Sequence, residues 1–207
     1  METTAQTKPL DINSIISRCK LVIFSPKQCW QTIAQDTRAP KELLRSTIIP
    51  LMVAGIVCST IGIQVFGITI PPFGTWRPPL FQYLVSQIAF SIGGVAMIFI
   101  SSLIIQKLAG FFHGSATPDR AFSLVAHSML PTLVGSLLAI YPLLGIFGIV
   151  FTALSLSALY HGAPVMTTVS SSKILGFIAA FIVSMILTSM VIYGALGFMV
   201  SLPQPPL

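Results

Sequence analysis

Up to about residue 45 apolar positions alternate with polar ones in a helical rhythm, and beyond it long apolar runs are parted by short polar breaks. Ile12, Ile15, Ile16, Cys19, Val22 and Ile23 recur mostly at three- and four-residue spacing, with Asp11, Asn13, Ser17, Arg18 and Lys20 on the other side. That pattern predicts an amphipathic helix, too short and too polar to cross a bilayer. Ser25-Pro26-Lys27-Gln28 offers a capping serine, a proline at the first helical position and a glutamine three residues after the cap. It starts a second short helix whose apolar face is Trp30, Ile33 and Ala34. Residues 1–10, polar and holding Pro9, read as a disordered tail.

Five apolar runs follow, at about 46–70, 80–106, 121–140, 142–160 and 174–200, each near the roughly 20 residues that a hydrocarbon core of about 30 Å requires. The breaks between them are the Pro71 to Pro79 stretch, residues 107–120, a brief turn at Tyr141-Pro142, and a loop from His161 to Lys173; a tail of residues 201–207 ends the chain. The expected fold is an all-α, five-helix transmembrane bundle preceded by interfacial helices over residues 11–45. Four crossings are the rival, because the turn at Tyr141-Pro142 is so short, although residues 121–160 are too many to cross once. Pro50 and Pro131 predict helix kinks. Gly55 with Ser59, Gly93 with Gly94, Ala153 with Ser157 and Gly194 with Gly197 are spaced for close helix approach.

Composition confirms the solvent: 54% of the 207 residues are hydrophobic and 8% are charged, against about 25% charged in a soluble domain. The distribution of charge then orients the chain. Of eleven Lys and Arg, seven precede the first run, one lies in the break after it, three lie in the breaks after the second and fourth runs, and none follows the fifth. Basic residues resist translocation, so the N-terminus is expected in the cytoplasm and, after five crossings, the C-terminus outside. No removable signal peptide is expected, since no basic stretch, apolar core and small-residue cleavage site open the chain. Arg18, Lys20, Lys27 and Trp30 are candidate membrane-surface contacts, basic groups on lipid phosphates and tryptophan at the interface; the other reading is that these helices pack against the bundle. The expected partners are the lipid bilayer and a membrane or cytoplasmic protein, with no nucleic acid.

Candidate chemistry is sparse. All five acidic residues, Glu2, Asp11, Asp36, Glu42 and Asp119, fall in the breaks on the expected cytoplasmic side, which leaves no carboxylate at mid-membrane for cation binding or proton relay. His127, beside Ser128 in the third run, is the candidate intramembrane polar site; the alternative is a neutral histidine hydrogen-bonded within the bundle. His113, His127 and His161 are spaced like no metal motif, and His127-Ser128 lacks the strained, glycine-flanked serine of a hydrolase. Cys19, Cys29 and Cys58 read as apolar fillers. No catalytic residue, metal site or cofactor is expected.

Phe24-Ser25-Pro26-Lys27 with Trp30 and Ile33, then Lys41, Leu43 and Pro50, resembles the start of bacterial members of the Yip family, the Ypt/Rab-interacting proteins. The resemblance continues through Phe111-Phe112-His113-Gly114-Ser115, Ala126-His127-Ser128-Met129-Leu130-Pro131 and Leu159-Tyr160-His161-Gly162-Ala163-Pro164-Val165-Met166, over about residues 18–200. His113 stands where relatives often have glycine, and His127 where an aromatic is common. The resemblance implies a five-helix bundle with a cytoplasmic N-terminus and a non-enzymatic role; eukaryotic members bind prenylated small GTPases and act in vesicle traffic. The alternative function is a small-molecule or lipid permease with a cavity near His127, lined by helices broken at Pro50 and Pro131.

Overall fold

The structure is a computed structural model that describes Ser17 and residues 26–34, 39–71 and 74–199. The expected helix over residues 11–23, Ser17 apart, and the side chains of Arg18, Lys20 and Lys27 lie outside the described residues. A short helix α1 (Pro26–Ile33) leads into five helices long and apolar enough to cross a membrane: α2 (Pro40–Phe66), α3 (Leu80–Phe111), α4 (Pro118–Ile140), α5 (Pro142–Thr167) and α6 (Ser171–Met199). The protein is an all-α polytopic membrane bundle.

The least apolar of the five, α4, is the most buried. This is the order lipid imposes, because a helix shielded by its neighbours can be less apolar than those that face acyl chains. Ala121, Phe122 and the run from Leu124 to Ser128 are all buried, with α3 and α5 as the main neighbours of this half. Outer faces carry the exposed apolar side chains, among them Val53, Ile92, Ile149 and Val191.

Both prolines named above sit at breaks in helical hydrogen bonding. Before Pro50 the backbone widens into a π turn over Leu44–Ile48, and Ile49 N–H donates to the Leu44 carbonyl five residues back. Proline has no N–H, and its ring crowds the carbonyl four residues earlier, which a wider turn relieves. In α4 the α-helix Pro118–Ser128 stops at Met129, resumes at Leu130–Gly135 around Pro131, and tightens into 3₁₀ geometry over Ser136–Ile140. Its start is capped by Thr117, whose hydroxyl accepts from Arg120 N–H, with Pro118 at the first position.

The stretch after α2 is not plain loop: Ile68–Ile70 (β1) and Gly74–Trp76 (β2) pair antiparallel, Ile68 opposite Trp76. Arg77 closes this hairpin onto the helix, donating to the Gln64 carbonyl at 3.1 Å and the Val65 carbonyl at 3.0 Å, while Gln64 Nε2 donates to the Pro78 carbonyl. The expected loop from His161 also needs correction, because α5 continues through Pro164 to Thr167. Packing overrides the proline: Gly162, Ala163, Met166 and Thr167 are buried, and the Thr167 hydroxyl donates to the Ala163 carbonyl. The helix ends at Thr168 in the left-handed conformation, φ 51°, where Ser115 N–H donates to the Thr167 carbonyl.

Candidate functional site

Trp30 on α1 is fully buried, and Ile33 nearly so, while Gln31 and Thr32 are exposed. The apolar face of this helix is therefore turned into the bundle against α5. The indole lies over Gly162, where a Cβ would collide with its ring and with Leu124. Its edge meets the His127 imidazole at a centroid distance of 6.2 Å and 74° between planes, a T-shaped aromatic contact. Trp30 thus does not sit at a lipid headgroup, as its sequence context suggested. The missing signal was the partner: Gly162 leaves an indole-sized space, and nothing near Trp30 in sequence announces it. Among the described residues the buried indole Nε1 has no hydrogen-bond partner, so the seat is held by packing and by the ring contact with His127.

His127 and Ser128 are neighbours in sequence but not in use. His127 is 2% exposed, and its Nδ1 lies 2.9 Å from the Ser123 carbonyl oxygen and 3.2 Å from Ser123 Oγ. A carbonyl oxygen only accepts, so Nδ1 carries the hydrogen and donates it back one turn along α4. Ser128, rotated about 100° further round the helix, is 5% exposed and faces a cavity. The two do not form a serine–histidine pair.

Two cavities adjoin in the middle of the bundle, sharing Gly94, Met129 and Tyr193 in their walls. The first, about 330 Å³, lies between α2, α3 and the lower-order half of α4. It contains a polar cluster that sequence reading missed: Gln87 Nε2 donates to the Tyr83 hydroxyl at 2.6 Å and to Ser59 Oγ at 3.2 Å. The legible trace of it was Tyr83 and Gln87 four residues apart, hence on one face of α3. The second, about 240 Å³, is a partly open space lined by α3, α4, α5 and α6, and Ser128 is among its lining residues. His127 lines neither.

The small residues divide. Gly55 approaches Ser136, and Gly93 approaches Leu196, so closely that side chains there would clash. Gly194 and Gly197 meet nothing, and Ala153 and Ser157 are exposed. At the end of the molecule that bears α1, Lys173 Nζ lies 3.2 Å from His113 Nδ1. Among the described residues no three His, Cys, Asp or Glu come together in a group able to hold a metal ion.

Neither the curated proteins nor the solved structures yield a match. A family model does: the Yip1 domain matches residues 20–193, from before α1 to deep in α6 and across every helix that builds the tryptophan seat and the cavities. The chain belongs to the Yip1 domain family.

Proposed function

We propose that this protein is a non-enzymatic organiser of the bacterial cytoplasmic membrane, which recruits a protein partner through its basic N-terminal segment. The observation that carries the reading is the one-sided charge: ten of eleven Lys and Arg fall on the side of the N-terminus and of the breaks after α3 and α5. By the preference of basic residues for the untranslocated side, that face is cytoplasmic and the C-terminus external. Arg18, Lys20 and Lys27 contact anionic lipid there, each basic residue near such a surface contributing about 1 kcal/mol. The Trp30 seat ties the segment to the bundle, so that contact at the leaflet or with a partner is transmitted to α4 and α5 rather than absorbed by a loose tail.

The test is affinity purification of the tagged full chain from its native membrane in mild detergent, with proteins and lipids identified by mass spectrometry. A stoichiometric protein partner is expected, lost when Arg18, Lys20 and Lys27 are all changed to Glu. A tightly held metabolite in the absence of any protein partner would instead favour the permease reading, although the two cavities are not lined by His127, where that reading expected one.

A further inference from the structure

Hydroxyl groups inside membrane helices ordinarily satisfy themselves by donating to the carbonyl four residues back. Six in this bundle do so: Ser101 to Met97, Ser102 to Ile98, Thr152 to Gly148, Thr167 to Ala163, Ser184 to Ala180 and Thr188 to Ser184. Ser128 does not. Among the described residues its buried Oγ has no hydrogen-bond partner, and the residue lines the 240 Å³ cavity. An unsatisfied hydroxyl in an apolar interior costs on the order of 1–3 kcal/mol, a cost that a ligand group reaching this hydroxyl would recover.

The cavity's surroundings define that ligand. No residue lining it carries a charge, so a phosphate or carboxylate placed there would be desolvated without compensation. The lining is mostly apolar and flexible, with Met97, Met129 and Met185 among Phe181 and Leu159, which suits a hydrocarbon chain of no fixed shape. One side is weakly closed: α5 and α6 touch little, and Leu156 and Thr152, which line the cavity, are also exposed on the outer face. We propose that this cavity binds a neutral lipid, a hydroxyl or ester carbonyl of its head held at Ser128 and its acyl chain passing out between α5 and α6 into the bilayer. Binding there is independent of whether a protein partner is recruited at the basic face.

The experiment uses the full chain reconstituted in phospholipid nanodiscs and a monoacylglycerol carrying a diazirine on its chain, with the diazirine fatty acid of equal length in parallel. After illumination, adducts are mapped by mass spectrometry. The monoacylglycerol is expected to label the inward-facing lining residues Met97, Ser101, Ser155, Leu159, Phe181 or Met185, saturably and in competition with unlabelled monoacylglycerol. The fatty acid should label these residues far less. Ser128→Ala should reduce the adducts about two- to tenfold, the worth of one hydrogen bond. Gly94→Leu fills the space shared by both cavities and should abolish them. The nearest atoms to a Cβ at Gly94 are side-chain atoms, Met52 Cε at 3.6 Å and Tyr193 OH at 3.9 Å, so the first carbon of the new side chain has room, and an unchanged thermal midpoint is required of the variant. Equal labelling of the wild type and both variants would overturn the proposal. So would equal labelling by the fatty acid, or adducts confined to outward-facing residues, which would mean that the lipid stays outside the cavity.

Discussion

Trp30 is the largest side chain that joins α1 to the bundle, with Ile33 buried on the same face. Trp30 is held by shape against Gly162 and Leu124, so its removal is a large-to-small substitution in a packed interior, costing about 3–5 kcal/mol. Trp30→Ala should lower the thermal midpoint markedly in detergent, whereas Trp30→Phe should retain most of the stability, because it keeps a ring and removes the unpartnered indole N–H. Gly162→Ala should destabilise alone but add little to Trp30→Ala, since the vacated space receives the new methyl; thermal melts of the double variant read that non-additivity directly. Trp30 as a residue worth naming was legible from its place on an apolar helical face. Its direction was not, because tryptophan suits a headgroup layer and a packed core equally well, and Gly162 lies 132 positions away. His127 was legible as the polar residue of its helix, but its use of Ser123 rather than Ser128 follows from helical geometry in three dimensions.

Among the elements, the hairpin after α2 depends on one side chain. Arg77 donates to two carbonyls at the C-terminal end of α2, where helix carbonyls lack intrahelical partners and carry partial negative charge. Arg77→Ala should therefore speed amide hydrogen exchange over residues 67–76 by several fold, with the interior of α3 unaffected, and Arg77→Lys should restore part of the protection. Unchanged exchange in the alanine variant would show that strand pairing alone holds the hairpin. The prolines of this stretch announced a non-helical break, but two strands of three residues are too short to leave a period in the sequence. The long helices were readable from length and apolarity, since lipid demands both. The continuation of α5 through Pro164 was not, because burial of Gly162, Ala163 and Met166 outweighs a local proline signal. The π turn before Pro50 was likewise visible only as a proline.

For the whole molecule, the five helices long and apolar enough to cross would, as alternating crossings, put the start of α2 and the end of α6 on opposite sides of the membrane, and the proposed function takes the basic side as cytoplasmic. The proposed function rests on that orientation, in which Arg18, Lys20 and Lys27 would face the cytoplasmic leaflet. The short turn at Tyr141-Pro142 left four crossings open in sequence; in the structure α4 and α5 are separate helices, each long and apolar enough to cross, clipped together by Thr132 and Ser155 at 2.8 Å. The most direct test fuses reporters to each terminus in a bacterial host, green fluorescent protein for the cytoplasm and alkaline phosphatase for the periplasm. The account predicts a fluorescent N-terminal fusion and an active C-terminal phosphatase. Fluorescence from both ends, with an inactive C-terminal phosphatase, would mean an even number of crossings and contradict it.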